Sequence, residues 1–186
     1  MKDLLEVLRV QRHDFMNHLQ VISGLLQLKR YDRAYEYIGQ VAEELGQAGM
    51  LARLEVPEIT AAVLVSGLRA AERGIVLHHE VSTGMEKGIH NGPAAAEIVG
   101  GMLETAIHSA ETSPCLAGKI NLEIREQDGE YIFRTSYRCR EDSAIRGTGA
   151  ASLEEAAKRI NGRLAVAHSA DGIIAVTLSL PVAAGE

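Results

Sequence analysis

The grouping in this sequence best suited to chemistry is a histidine with polar neighbours on a predicted helix. His13 is followed by Asp14, and Asn17 comes one helical turn after His13. A neutral imidazole nitrogen can attack phosphorus and form a phosphoramidate that is then passed on, which is covalent catalysis. The carboxylate would hold the ring tautomer or stabilise the charged ring, and the amide would orient a water or a phosphoryl oxygen. The grouping would permit phosphoryl transfer, with His13, Asp14 and Asn17 as the candidate catalytic residues.

Plainer interpretations of the same residues stay open at this point. A single surface histidine on a helix is usually inert. His13 and His18 are five residues apart, whereas two metal ligands on one helical face are four apart, which argues against a zinc site. Arg12 falls on the apolar seam of the helix and would serve to set its register. On the residues alone, phosphoryl chemistry is one hypothesis among these.

Composition excludes several classes of protein. The 186 residues are 46% hydrophobic and 24% charged, which is typical of a folded chain. A net charge of −6 argues against nucleic-acid binding, which requires a basic face. Charges begin at residue 2 and no run of eighteen apolar residues occurs, which argues against a signal peptide or a membrane span. We therefore expect a cytoplasmic protein with no nucleic-acid or membrane partner.

A helical hairpin is predicted to carry the reactive residues. Apolar residues recur every three or four positions from about residue 2 to residue 29, and a helical wheel places His13 about 130° from the centre of this seam, toward solvent. A second amphipathic helix is predicted to start with Asp32 as its N-cap and to end at Gly46 or Gly49. Two helices enclose no core, so the hairpin at 1–50 is expected to pair with a second copy in a four-helix bundle. The alternative is that it folds back on the second half of the chain.

The pattern of helices and strands in the second half predicts a small α/β domain over residues 58–186, after a linker at 51–57. Asp128-Gly129 and Asp171-Gly172 are hairpin turn signals. Ser152 and Glu155 have the spacing of a capping box. The overall fold class is therefore α+β, with strands in one layer and helices in the other. Predicted helices are 58–73, 93–110 and 152–160, and predicted strands are 75–81, 119–126, 131–137, 164–169 and 173–180.

The run from Arg12 to Gln27, followed by Tyr31-Asp32 and the segment Tyr35 to Ile38, resembles one particular hairpin. It is the phosphoacceptor hairpin of the sporulation initiation phosphotransferase B family and of citrate/dicarboxylate-type sensor histidine kinases. The resemblance implies that His13 is the phosphorylated residue and that the protein is a homodimer. It also implies that a response-regulator receiver domain docks on the helix around His13. The contact residues expected from this are Arg9, Arg12, Met16 and Gln20.

The second half resembles the ATP-binding domain of these kinases with its signature residues lost. Such kinases carry Asn-x-x-x-Asn-Ala on a helix, and Gly101 and Thr105 stand here at the two Asn positions. An Asp-x-Gly-x-Gly loop is expected after the strand ending near Tyr137, but residues 138–144 contain no glycine. A triphosphate needs a magnesium ligand and close backbone approach through glycines. A degenerate domain that binds no ATP and holds no cofactor or metal of its own is therefore expected.

These inferences lead to a phosphorelay phosphotransferase as the main hypothesis, in sporulation-type signalling. His13 would take a phosphoryl group from the phosphoaspartate of one receiver domain and pass it to the Asp of a second response regulator. The receiver would supply the Mg²⁺. One alternative is a histidine kinase, free of the membrane and with an atypical ATP site, that autophosphorylates His13. Another is a non-catalytic dimeric adaptor that docks response regulators.

Overall fold

A computed structural model describes residues 2–112, 118–138 and 149–183 and, at some helical positions, the backbone alone. The chain divides into two compact units, Met1–Gly49 and Met50–Glu186. The elements, in chain order, are α1 (Lys2–Gln27), α2 (Tyr31–Leu51), α3 (Pro57–Glu72), β1 (Val76–Val81), α4 (Gly92–Thr112), β2 (Lys119–Gln127), β3 (Glu130–Arg138), α5 (Gly149–Arg159), β4 (Arg163–His168) and β5 (Ile173–Pro181).

A tight turn joins the two helices of the first unit. Lys29 adopts a left-handed conformation with φ 55°. The amide of Arg30 donates to the carbonyl of Leu25 at 2.9 Å, and the amide of Lys29 donates to the carbonyl of Leu26 at 3.0 Å. This pair of bonds satisfies the last carbonyls of α1 in a Schellman motif. The N-cap predicted at Asp32 is wrong, because α2 begins at Tyr31 and Asp32 lies within its first turn.

The second helix continues beyond its predicted end. Gly46 and Gly49 were expected to stop it, but α2 runs to Leu51. A glycine inside a helix costs only about 1 kcal/mol relative to alanine. Leu51 is 1% exposed and belongs to the apolar core of the second unit. Burial of this leucine therefore outweighs the weak helix propensity of the two glycines.

The second unit is a two-layer α/β fold, so the predicted α+β class is confirmed. Its five strands lie in the order β1-β2-β3-β5-β4, with β1 parallel to β2 and the other neighbours antiparallel. Asp128 and Gly129 both have positive φ, as a type I′ turn between β2 and β3 requires. Side chains of β2 alternate between buried and more exposed, and α3, α4 and α5 contact strands of this sheet.

The segment between α2 and α3 is part of this packing. Leu54 and Val56 are each 5% exposed and lie in the core of the second unit. The amide of Glu55 donates to the carbonyl of Gly84 at 2.8 Å, which fixes the segment to the loop after β1. The stretch at 51–57 that the sequence suggested as a linker thus contributes apolar side chains to a domain core.

The N-terminus of α5 does not form the predicted capping box. The helix begins at Gly149, so Ser152 lies inside it and is not the N-cap. The carboxylate of Glu155, expected to close the capping box, accepts a hydrogen bond from Arg159 at 2.8 Å. A similar pair joins Lys158 to Glu154 at 2.7 Å. These i,i+4 ion pairs support the helix on its exposed side.

Candidate functional site

His13 and Asn17 lie side by side on the exposed surface of α1. Nδ2 of Asn17 is 3.1 Å from Nδ1 of His13, within hydrogen-bonding distance. The contact follows directly from the helix, because residues four apart are neighbours on one face. The structure therefore brings together two of the three residues predicted to be catalytic. The side chain of the third, Asp14, lies outside the described residues.

Asn17 contacts the Nδ1 nitrogen of the His13 ring. A side-chain amide carries both a donor and an acceptor, so Asn17 can serve Nδ1 in either of its protonation states. When Nδ1 carries the proton, Oδ1 of Asn17 accepts it and the lone pair of the neutral ring is on Nε2. When Nδ1 is unprotonated, Nδ2 of Asn17 donates to it. The pair is thus compatible with the neutral imidazole that nucleophilic attack on phosphorus requires.

A second histidine contact joins the two helices of the hairpin. Nδ1 of His18 is 2.9 Å from the hydroxyl of Tyr37 on α2, and the two rings are 5.8 Å apart. From the sequence, His18 was considered only in arguing against a zinc site, so this contact was missed. His18 comes five residues after His13, so the two side chains are about 140° apart on the helical wheel. The side of α1 that carries His18 therefore meets Tyr37, while His13 faces away from that contact.

The four residues expected to bind a partner are all on the surface. Arg9, Arg12, Met16 and Gln20 are exposed, and Met16 retains 50% of its accessible surface. Counting 100° per residue, Arg9, Met16 and Gln20 fall within about 60° of His13 on the helical wheel. Arg12 lies closer to the apolar seam. The described hairpin thus presents His13 within a surface that combines cationic, amide and thioether groups.

Large apolar side chains on the hairpin are also exposed. They recur with helical spacing on α1 and continue on α2, as expected of surfaces that pack against another helix. Each keeps about half of its accessible surface: Phe15 47%, Leu19 45%, Leu26 46%, Ile38 45% and Leu45 52%.

In the second unit, the positions of the two lost asparagines are occupied by internal contacts. A Cβ placed on Gly101 would lie 2.6 Å from Cδ2 of Leu153 on α5. The hydroxyl of Thr105 donates to the carbonyl of Gly101 at 2.8 Å. A larger side chain at 101 would displace Leu153, and the hydroxyl at 105 is engaged by the backbone of its own helix. This arrangement does not fit the Asn pair that the resemblance to kinases leads one to expect.

Most of the loop expected to complete the ATP site lies outside the described residues. It falls in residues 139–148, which include most of the stretch without the expected glycines. Across 2–112, 118–138 and 149–183, no group of three or more His, Cys, Asp or Glu side chains is placed to hold a metal ion. In the same ranges, none of the helices has the length and apolar character needed to cross a bilayer.

Comparison with known families identifies the hairpin. Residues 1–54 match the family model described as "Sensor_kinase_SpoOB-type, alpha-helical domain". The N-terminal region is thus a SpoOB-type helical domain, and the chain is homologous to sensor histidine kinases.

Three curated relatives show how this similarity is distributed. A 57-residue stretch, 31% of this chain and 30% of the relative, is 37% identical to sporulation initiation phosphotransferase B of Bacillus subtilis (strain 168). The probable C4-dicarboxylate sensor kinase of the same organism is 28% identical over 131 residues, covering 68% of this chain and 24% of that protein. Sensor histidine kinase DcuS of Escherichia coli (strain K12) is 24% identical over 185 residues, covering 87% of this chain and 33% of that protein. The chain thus spans about a quarter to a third of the length of the curated relatives it matches.

Solved structures support the fold. Histidine kinase AdeS of Acinetobacter baumannii superposes with a TM-score of 0.53 at 13% identity, covering 91% of this chain and 98% of that one. The catalytic domain of histidine kinase ThkA superposes with a TM-score of 0.55 at 8% identity, covering 69% of this chain and 94% of that domain. At these identities the likeness shows that the helical region and five-stranded sheet have the histidine-kinase ATPase-like α+β fold.

Proposed function

We propose that this protein is a phosphorelay phosphotransferase that carries a phosphoryl group on His13 between two response regulators. The observation that carries the proposal is the exposed His13–Asn17 pair, with its 3.1 Å contact, on a SpoOB-type hairpin. Because one relative is named a sporulation initiation phosphotransferase, we assign the relay to sporulation-type signalling. Cytoplasmic response regulators as partners would place the reaction in the cytoplasm.

The proposed chemistry is two in-line displacements at phosphorus. Nε2 of His13 attacks the acyl phosphate of the first receiver, an N–P bond forms, and the P–O bond to the aspartate breaks with departure of its carboxylate. In the second step, the aspartate of another receiver attacks the phosphohistidine. The N–P bond then breaks, and the neutral imidazole is regenerated. The receiver supplies Mg²⁺, so this chain contributes the nucleophile and its orientation rather than a metal site.

Asn17 and Asp14 have distinct roles in this scheme. With Nδ1 protonated, the amide of Asn17 is turned so that Oδ1, in the place of Nδ2, accepts the hydrogen bond from Nδ1–H, and Nε2 is the nucleophile. As the N–P bond forms, the ring becomes cationic and Nδ1–H remains the donor. Asp14 is proposed to stabilise this positive charge. Arg9 and Arg12, both exposed, would meet the anionic surface around the phosphoaspartate.

The exposed apolar stripe supports a homodimer. The side chains of Phe15, Leu19, Leu26 and Ile38 each keep nearly half of their surface. Covering these residues with a second hairpin would form a four-helix bundle and remove apolar surface from water. His13 lies away from this stripe, so a receiver can reach it in the dimer.

A histidine kinase is the second candidate function, because the similarity to sensor kinases extends over 68–87% of the chain. The contacts of Gly101 and Thr105 favour the phosphotransferase, since an Asn at 101 would require Leu153 to move and the hydroxyl at 105 is already engaged. The third candidate is an adaptor that docks response regulators without transfer.

A relay experiment distinguishes these functions. The receiver domains of the source organism are charged with labelled acetyl phosphate, purified, and mixed with the full chain and then with a second receiver. We expect the label to pass through this protein to the second receiver in wild type and in His78→Ala, an exposed histidine of the second unit, and to stop in His13→Ala. Label from ATP on His13 would establish the kinase instead. Receiver binding without any transfer would establish the adaptor.

A further inference from the structure

The turn that joins α1 to α2 carries the most exposed apolar side chains of the described hairpin. Leu28 keeps 71% of its accessible surface, Tyr31 62% and Tyr35 80%. Among the other exposed large hydrophobic residues that the structure describes, Val76 keeps 63% and the rest keep between 38% and 52%. Burial of such side chains in a partner phase is favourable, so their grouping within eight residues indicates an interaction surface.

A second copy of the hairpin does not account for all of these side chains. The apolar stripe assigned to the dimer has members that keep about half of their surface, such as Ile38 at 45%. Tyr31 adjoins this stripe, but Tyr35 lies about 60° around α2 from Ile38. Leu28 lies beyond Gln27, where α1 ends. Leu28 and Tyr35 are therefore beside the stripe rather than on it, and stay open to a different partner.

The same turn concentrates positive charge. Lys29, Arg30 and Arg33 are exposed, and within the part of the chain that the structure describes none of the three makes an ion pair. Asp32 is the one acidic residue among positions 28–35. The chain as a whole carries −6, so this local excess of cations runs against its overall charge. The exposed apolar and cationic residues together are named the turn patch: Leu28, Lys29, Arg30, Tyr31, Arg33 and Tyr35.

We propose that the turn patch binds the surface of a bilayer that contains anionic phospholipids. The leucine and the two phenol rings enter the interfacial region, where a tyrosine keeps its hydroxyl in water. The long cationic side chains reach the lipid phosphates, and each cation near the surface strengthens binding about fivefold. No membrane partner was expected from the sequence, because it contains no run long enough to span a bilayer. A peripheral contact at a turn requires no such run.

The composition and position of the patch favour a bilayer over an acidic protein as its occupant. A folded partner would need a preformed pocket for each protruding side chain, whereas the headgroup region adapts to them. Aromatic and leucine side chains among Lys and Arg are the composition of interfacial anchors. Charges more than about 10 Å away are largely screened at ordinary ionic strength, so the local cations outweigh the net negative charge of the chain.

Sedimentation of the full-length protein with vesicles tests the proposal. The vesicles contain phosphatidylcholine alone, or phosphatidylcholine and phosphatidylglycerol at ~2:1. We expect wild type to bind the anionic vesicles and to be released from them by salt at about 1 M. A double variant, Lys29→Asn with Arg30→Gln, should bind about 25-fold more weakly, and asparagine tolerates the left-handed conformation of residue 29. Leu28→Ser and Tyr35→Ser should each bind about fivefold more weakly.

Two variants of the second unit are the matched controls. Lys119→Gln removes an exposed cation from β2, and Val76→Ser removes an exposed apolar side chain from β1. Both should bind the anionic vesicles as wild type does. Circular dichroism checks that each variant is folded, and the cation variant keeps the test valid if Leu28→Ser does not fold.

Four results would overturn the proposal. Wild type that does not sediment with anionic vesicles is the first, and equal binding to both kinds of vesicle is the second. A halved molecular mass of Tyr35→Ser in light scattering would assign this residue to the contact with a second copy. Receiver domains that bind Leu28→Ser more weakly than wild type, with no binding of vesicles, would identify a protein as the occupant.

Discussion

Two helices of this protein carry the positions that the sequence resemblance pairs with reactive or nucleotide-binding residues, and they differ in what surrounds those positions. On α1, His13 and Asn17 are exposed and contact each other. On α4, Gly101 faces Leu153, and the hydroxyl of Thr105 donates to the carbonyl of Gly101. The two α4 residues contact other residues of their own unit. The α1 residues, under the proposed function, react only when a partner protein brings a phosphoryl group. This difference agrees with the proposed function, in which the hairpin reacts with a partner and the second unit supports it.

Burial shows the same contrast. Phe133 and Leu103 of the second unit are completely buried, as expected of a closed core. On the hairpin, Leu19 and Leu26 keep nearly half of their accessible surface. A charge placed on the hairpin stripe should therefore disrupt assembly, whereas a charge at an exposed apolar position of the second unit should not.

The largest effect is expected from Leu19→Glu. In the dimer this change buries a carboxylate in each copy and removes two apolar contacts, for a loss of about 3–6 kcal/mol of association free energy. Light scattering should then report a monomer. Val76→Glu is the matched control, because Val76 is 63% exposed on β1, and it should leave the mass of the dimer unchanged. A Leu19→Glu protein that stays dimeric would show that this stripe is not the dimer interface.

A smaller effect is expected where α4 meets α5. Gly101→Asn forces Leu153 to move and should lower the free energy of unfolding by about 1–3 kcal/mol relative to Gly100→Asn, whose Cβ has open space. Adding Leu153→Ala should recover part of this loss, which a double-mutant cycle measured by urea denaturation would show. Equal stability of Gly101→Asn and Gly100→Asn would remove the evidence that Leu153 fills this place.

Asn17→Ala should slow phosphoryl transfer to His13 without unfolding the hairpin. The ring would lose the contact that holds it, so we expect a rate about tenfold lower, which corresponds to about 1.4 kcal/mol. Rapid-quench measurements with a charged receiver would give the rate. Asn121→Ala, an exposed asparagine on β2, should transfer at the wild-type rate. If both variants behave alike, Asn17 has no part in positioning His13.

The smallest effect is expected from Tyr37→Phe, which removes the hydroxyl 2.9 Å from His18. Loss of one partly buried hydrogen bond should cost about 0.5–1.5 kcal/mol of hairpin stability. Tyr35→Phe is the control, since Tyr35 is 80% exposed on the same helix. Thermal denaturation followed by circular dichroism should show a lower midpoint for Tyr37→Phe alone. Identical midpoints would mean that the contact does not stabilise the hairpin.

Much of the fold follows from local sequence signals. The turn between β2 and β3 could be predicted from Asp128-Gly129, because both residues tolerate the positive φ that a type I′ turn requires. Gly74 likewise ends α3 with φ 68°. The end of α2 and the start of α5 were missed because packing and side-chain pairing outweighed local propensity. Leu51 is held in the core beyond two glycines, and Glu155 pairs with Arg159 rather than capping the helix.

The candidate site could be predicted only in part. Helical spacing was sufficient to place Asn17 beside His13, because residues four apart on a helix are neighbours. Contacts between elements distant in sequence could not be read in this way. The pairing of His18 with Tyr37 and of Gly101 with Leu153 depends on how helices pack, and no local pattern in the sequence specifies it.

Peptide mapping of the phosphorylated protein tests the central claim most directly. Wild-type protein is incubated separately with a charged receiver domain and with Mg²⁺ and ATP, and is then digested under alkaline conditions that preserve phosphohistidine. We predict one phosphoryl group, on the peptide that contains His13, after incubation with the receiver and none after incubation with ATP. A phosphoryl group on a different residue, or one on His13 that comes from ATP alone, would contradict the assignment of His13 as the carrier of a receiver-to-receiver relay.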